Sequence, residues 1–501
     1  MSPLLRRKEI DALIAESEHP DRALRKTLGP WQLTALGIGA VIGSGIFILT
    51  GTAAAGEVRQ VQSVWNATVL ETILHGGFVQ SVGRPGAGPG IALSFFLVAI
   101  ACGFAALCYA ELASMIPIAG SAYTYAYATL GEIFAWVVGW QLVLEYAVSN
   151  MAVAVGFSAH VNDVLSRFGW QLPAMISEPM FKNGANTHHI NVMSLIILLL
   201  LTWLLVRGVK EGTTANNVMV LIKIAVILLF VFVGSSYTEA ANWNPMFPNG
   251  ASGVLTGGAI VFFSYIGFDS VSTAAEECKN PQRDLPFGII ASLIICTVLY
   301  CAVAIVLTGM TNWKDLNTPA PVVQALAAKG LPNVRWFVGV GALFGMVSSL
   351  LVFQYGQSRI WYAMSRDGLL PRMFSKIHPR YRTPYVATWI AGFLVGIPSM
   401  FGSIGDFADL ANMGTLFAFA LVSAAVLVLR KRDPERKRGF RVPLAPFLPL
   451  LSIACCLLLM MSLTLFVWAA FACWFTVGLV LYFVYGRHHS VEALRGAGRS
   501  S

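Results

Sequence analysis

Charge is what this 501-residue sequence has least of: Asp, Glu, Lys and Arg make up 12% of it, against 56% hydrophobic residues. Soluble domains carry roughly 25% charge, so the shortage excludes a water-soluble globular protein. Alternating short apolar segments are absent too, which excludes a β-barrel. The eight cysteines form no CxxC pair: Cys102, Cys108, Cys296, Cys301, Cys455, Cys456 and Cys473 lie inside apolar runs and Cys278 in a polar loop. Neither a disulfide framework nor a thiolate metal site is expected. The histidines, His188 and His189 among them, lie mostly in loops without HExxH or similar ligand spacing, and no metal or cofactor is called for. No nucleophile–base pair or phosphate-binding loop lies at membrane depth, so the chain does not read as an enzyme.

What is abundant is long apolar runs. Runs of about 18–25 residues cross a hydrocarbon core of roughly 30 Å as helix. They fall at about 31–52, 91–115, 131–160, 190–207, 216–234, 254–275, 286–309, 333–364, 384–402, 406–430, 446–465 and 468–486. The expected fold is an all-α integral membrane protein of about twelve transmembrane helices. Its transmembrane domain covers 31–486, between an N-terminal segment at 1–30 and a tail at 487–501. The first thirty residues are too polar for a signal peptide, so the first span itself directs insertion.

The net charge of +9 is unevenly distributed. With loops assigned to alternate sides, about 26 Lys/Arg fall on the N-terminal side, about seven opposite and one inside the membrane. Both termini are therefore expected in the cytoplasm of a cell inner (plasma) membrane. The rich loops "RDGLLPRMFSKIHPRYR" and "RKRDPERKRGFR" set topology and touch lipid headgroups rather than nucleic acid. Residues 57–89 form a long external connection, with a short interfacial helix expected around Val61–Leu74.

The first span contains "GIGAVIGSGIFILTG", residues 37–51, with five glycines. Glycine costs about 1 kcal/mol relative to alanine in a helix. Glycines at this density either let helices pack closely or mark a break. A break at Gly43-Ser44-Gly45 presents the amides of Ser44, Gly45 and Ile46 to an anion such as a carboxylate. It also presents carbonyls near Val41 and Ile42 to an ammonium. A second interruption, in "GGAIVFFSYIGFDSVSTAAEE" (257–277), places Gly267 after an aromatic run and Asp269 at membrane depth. Interrupted helices five spans apart point to a transporter of inverted repeats with its site at the midplane. Amides for a carboxylate and carbonyls for an α-amino group outline a free amino acid. Phe263 is the expected gate, with Tyr265 and Phe268 flanking the same break.

Two further ionisable residues lie mid-span, Glu145 and Lys223. A lysine among isoleucine and valine must find a carboxylate or carbonyls, line water, or lose its proton. Lys223 therefore reads as a proton-coupling switch or as a permanent strut between helices. Glu145 reads as a partner of Lys223 or as a contact for a cationic substrate side chain. Asp269 reads as a carboxylate that supports the site from behind the substrate contacts or is linked to the proton. Glu111, Glu276 and Glu277 lie toward cytoplasmic span ends and suit solvated or gate-like roles.

On "GIGAVIGSGIF", "YAELASMIPIAGSAYTYAYATLGE", "FFSYIGFDSVSTAAEE" and "NPQRDLPFGI", the chain from about Leu28 to about Leu465 resembles the amino acid–polyamine–organocation superfamily, and within it the cationic amino acid transporter family. The resemblance implies five plus five inverted-repeat spans, discontinuous first and sixth helices, and two further C-terminal helices. It implies an α-carboxylate on the amides of Ser44 and Gly45, and an amino group on the carbonyls of Val41, Phe263, Ser264 and Ile266. Lys223 matches the fifth-span lysine of proton-coupled relatives. The expected activity is proton-coupled symport of cationic or small neutral amino acids by alternating access, with an exchanger as the alternative and a channel or nutrient sensor as a remote one. The expected partners are the amino acid, protons and the bilayer; a single-span membrane partner stays open.

Overall fold

The computed structural model describes residues 5–11, 14, 26–118, 120–182, 185–208 and 212–491. The expectations on the terminal segments at 1–4, 12–13, 15–25 and 492–501 lie outside the described residues. The first apolar run becomes α1 (Pro30–Val41), a π-helical turn over Gly45–Leu49 and α2 (Thr50–Ala55). Pro30 suits the first helical turn, where its missing N–H is not needed, and Gln32 accepts from the Gly29 N–H at 2.6 Å. The chain continues through α3 (Val69–Leu74), α4 (Ile91–Met115), α5 (Ser121–Thr129), α6 (Glu132–Ser166), α7 (Val192–Arg207), α8 (Gly212–Ser235) and α9 (Gly250–Val261). It closes with α10 (Pro281–Met310), α11 (Pro321–Ala328), α12 (Pro332–Arg366), α13 (Tyr385–Ser399), α14 (Ile404–Arg432), α15 (Phe447–Met461) and α16 (Leu465–Leu481).

Among the described residues, eight helical stretches are long and apolar enough to cross a membrane, or nine if the bent first pair is one span. Three shorter apolar helices, α7, α13 and α15, stand beside them. The protein is thus an all-α multi-pass membrane protein. Its outer surface exposes Phe96, Leu200, Leu221, Phe232, Val298 and Val484, which suits a bilayer and not water. Helices of the first half pack on counterparts five apolar runs later: α4 on α10, α6 on α12, α7 on α13, and the first span on the interrupted sixth. These contacts are consistent with an inverted repeat.

The described ends of the chain meet at one end of the bundle. Glu132 N–H donates to Arg6 O at 2.8 Å, and Ser490 Oγ donates to the Glu132 carboxylate at 2.6 Å. The opposite end carries a hairpin, in which β1 (Gly56–Ser63) pairs antiparallel with β2 (Ser81–Pro85), Glu57 opposite Arg84. The helix expected over Val61–Leu74 is corrected here to α3, which starts only at Val69, with Thr68 and Glu71 forming its capping box. The three-residue spacing of Val58, Val61 and Val64 imitates a helix, but the stretch finds a strand partner. Gly83, at φ +140°, sits where an added Cβ would collide with Glu57 O, so no side chain fits.

An ion-pair network ties the hairpin to α14. The Arg84 guanidinium lies 2.7 Å from Glu57 and 2.7 Å from Asp409, and Arg59 lies 2.7 Å from Asp406. Burial disfavours charge on Glu57, but Arg84 and Arg59 outweigh it and hold its carboxyl below the usual carboxylate range.

Candidate functional site

Both interruptions are present. After Val41 the chain leaves the helix at Ile42, whose backbone is extended (φ −78°, ψ 94°), and the halves either side of the break are bent by 46°. The amides of Ser44, Gly45 and Ile46 then open the second half, where a helix cannot satisfy its own first N–H groups. In the sixth span α9 passes into a 3-10 turn over Phe262–Tyr265, and Ile266 is extended (φ −61°, ψ 131°). Gly267 follows at φ +121°, a conformation that favours glycine, before a 3-10 stretch over Phe268–Glu277. Here hydrogen bonding is interrupted but direction is kept, since Gly250–Glu277 runs on as one 28-residue apolar stretch.

The two breaks touch each other. A Cβ on Gly45 would strike Ser264 Oγ and lie 2.8 Å from Ser264 Cα, and one on Gly267 would lie 3.0 Å from the carbonyl carbon of Ala40. Close packing and interruption are therefore two uses of the same glycines. The Tyr300 hydroxyl stands between the breaks, 3.0 Å from Val41 O and 2.9 Å from Ser264 O. Phe263 O accepts from Ile266 N at 3.2 Å, and Ile42 O accepts from Ser349 Oγ at 3.1 Å. A carbonyl oxygen has two lone pairs, so each keeps an acceptor position. The hydroxyls of Ser44 and Ser264 are buried with no hydrogen-bond partner among the described residues.

Val41, Gly43, Ser44, Gly45, Ile46, Phe263, Ser264 and Ile266 are all buried at these breaks. Lys223, fully buried, approaches α1 from behind: its ammonium donates to Gly39 O at 2.6 Å and lies 3.4 Å from Ser349 Oγ. The expected pairing of Glu145 with Lys223 is therefore corrected. Glu145 instead shares its surroundings with Asp269, Tyr109 and Tyr146, close enough for all four to interact electrostatically. No side chain among the described residues hydrogen-bonds the Asp269 carboxylate. Glu111 is buried and paired with Arg430 and Arg438, so it is not solvated.

Phe263 makes no ring contact among the described residues. Phe268 does: its ring lies 5.1 Å from Phe419 and 6.2 Å from Tyr109, which in turn packs 5.4 Å from Phe419. Tyr265 is structural, donating to Phe95 O at 3.0 Å. Tyr300 and Ser349 were missed in the sequence. The signal they carried was a lone hydroxyl mid-span, where it must find a partner.

A bundle of membrane-crossing helices with two interrupted spans facing each other at its centre defines a multi-pass membrane permease. The chain belongs to the amino acid permease family, within the amino acid–polyamine–organocation superfamily: the family model described as "Amino acid permease" matches residues 28–491. It is 45% identical over 492 residues to the methylthioribose transporter of Bacillus subtilis (strain 168), covering 98% of this chain and 99% of the relative. It is 43% identical over 489 residues to the branched-chain amino acid permease BcaP of the same organism, covering 97% and 98%. It is 35% identical over 443 residues to the vacuolar cationic amino acid transporter 4 of Arabidopsis thaliana, covering 87% and 68%. This chain is accordingly a transporter and not an enzyme.

Proposed function

We propose that this permease is a proton-coupled symporter of neutral or cationic amino acids in the plasma membrane, with both termini cytoplasmic. In this reading α7, α13 and α15 complete twelve spans arranged as five plus five, with two more at the C-terminal end. The substrate carboxylate binds the amides of Ser44, Gly45 and Ile46. Its ammonium binds carbonyl oxygens of Val41, Phe263, Ser264 and Ile266, with Ile42 beside them and Phe263 as lid. The observation that carries the reading is the convergence of Val41 O and Ser264 O on one hydroxyl, Tyr300, within 3.0 Å. Two carbonyls from two broken helices are brought together there, and each keeps a second lone pair for an ammonium beside the Tyr300 hydroxyl. Lys223 couples the proton, because deprotonation removes the charge that strengthens its bond to Gly39 O and so loosens the hold on the end of α1. Asp269 and Glu145 form the acidic side of the site.

The relatives' names span methylthioribose, branched-chain and cationic amino acids, so the substrate side chain is decided by experiment. Uptake of labelled leucine, alanine, arginine and methylthioribose into proteoliposomes tests the substrate class. Uptake of an amino acid supports the zwitterion site, and uptake of methylthioribose alone defeats it. A second reading, obligatory exchange, is favoured by the direct bond from Lys223 to Gly39 O: a lysine fixed there through the whole cycle is a strut, not a switch. Trans-stimulation without net accumulation identifies that case.

A further inference from the structure

At the end of the bundle where the described termini meet, guanidinium charge exceeds its partners. Residues 5–11 lie across the ends of α6 and α14: Arg6 O accepts from Glu132 N–H at 2.8 Å, and Asp11 pairs with Arg436. This course brings Arg7 close enough to Arg432, the last residue of α14, for their charges to interact. Arg6 and Arg487, just past the turn that ends α16, both lie within electrostatic reach of Tyr482, whose hydroxyl donates to Glu132 at 3.0 Å. Among the described residues none of these four guanidiniums has an ion pair, and Arg7 Nε is buried without a hydrogen-bond partner. The carboxylates at this end are engaged elsewhere. Glu132 accepts from Tyr127, Tyr482 and Ser490, Asp367 holds Lys8, Glu111 holds Arg430 and Arg438, and Asp11 and Asp433 share Arg436. The exposed Glu9 and Glu435 pair with none of the four. Toward the membrane from Arg487, Val477, Val480, Leu481 and Val484 are exposed and apolar.

We propose that Arg6, Arg7, Arg432 and Arg487 bind the headgroup of an anionic phospholipid that carries two phosphates, one held by Arg7 with Arg432 and the other by Arg6 with Arg487. Guanidinium is planar, always charged and shaped to hold two phosphate oxygens at once. Like charges held together repel, and an anion between them removes that cost. Basic pockets where membrane helices end suit headgroups of this kind. The apolar face favours a lipid over a free phosphate, because acyl chains lie along Val480 and Val484 while the phosphates reach the arginines. A bound lipid thus ties residues 5–11 to the ends of α14 and α16. The inference uses the membrane-spanning fold and nothing of the transported substrate.

The test reads binding and does not require transport. The full chain, purified in detergent and stripped of lipid, is titrated with diphosphatidylglycerol, phosphatidylglycerol, phosphatidylcholine or sodium pyrophosphate, and bound species are counted by native mass spectrometry. Diphosphatidylglycerol should bind at least about tenfold more tightly than phosphatidylcholine. Arg7→Gln and Arg432→Gln should each weaken it about fivefold, the worth of one arginine at an anionic headgroup. Arg380→Gln, in a basic loop that Thr383 ties to Val206 at the end of α7, should leave it unchanged. An equal loss at Arg380 would make the attraction a property of the whole face and overturn the site. Binding of diphosphatidylglycerol no tighter than that of phosphatidylcholine would overturn it as well. Pyrophosphate bound as tightly as the lipid would overturn the lipid as occupant.

Discussion

Lys223 was expensive on inspection of the sequence alone, since an ammonium amid isoleucine and valine needs oxygen partners. What the sequence could not supply was the rotation of α8 about its axis, and so the partner proved to be Gly39 O and not Glu145. Lys223→Ala should abolish proton-driven accumulation while sparing binding of the amino acid; gradient-driven uptake at the parent rate would remove Lys223 from coupling. Tyr300 sat unremarked in its apolar run because hydroxyls in helices often bond locally, whereas its partners lie 259 and 36 residues away. Tyr300→Phe leaves two buried carbonyls without that donor and should cost about 1–3 kcal/mol. Thermal melting in detergent reads this cost, and a raised KM with modest change in maximal rate locates it at the binding step.

At the scale of elements, the broken first span was legible because glycine at this density is costly and Asp269 lies five spans on. The contact between the breaks was not legible, since it depends on how α1 and α9 cross. Gly45→Ala would push a methyl into Ser264, whose Cα is backbone and has little room to yield. Overpacking of this kind costs about 1–3 kcal/mol, and uptake should fall at least about tenfold. Normal uptake by this variant would mean the breaks do not need their close approach. The hairpin was not legible because its pairing partner, β2, lies beyond α3.

The hairpin's attachment should also depend on pH. Glu57 has a folded-state pKa held below its ordinary value, so its contribution is complete above the usual carboxylate range, near pH 4. That contribution is lost as the pH falls through the lowered value. Limited proteolysis between β1 and β2 should accelerate on acidification, and the Glu57→Gln variant should lose that pH dependence because no proton can be taken up there. An identical acid limb in both proteins would assign the effect to other groups. Arg84→Ala, which strands Glu57 and Asp409 without their shared cation, should loosen the hairpin at neutral pH by about 3–5 kcal/mol.

At the scale of the molecule, composition alone dictated a helical membrane protein, and the apolar runs fall on helices, eight or nine of which are long and apolar enough to cross a membrane among the described residues. Which spans touch came from the fold: pairing of α4 with α10, α6 with α12 and α7 with α13 brings the two interrupted helices to the centre. The side chain of the substrate stayed illegible for a physical reason: in the proposed binding mode the two breaks would meet the zwitterionic part with backbone atoms that every amino acid engages alike. The central claim, that a proton gradient drives an amino acid through these breaks, is tested most directly by uptake of labelled amino acids into proteoliposomes under an imposed inward proton gradient, an imposed sodium gradient or neither. Accumulation driven by the proton gradient alone, and lost in Lys223→Ala, is the predicted result. Uptake that ignores both gradients and requires amino acid preloaded inside would contradict it.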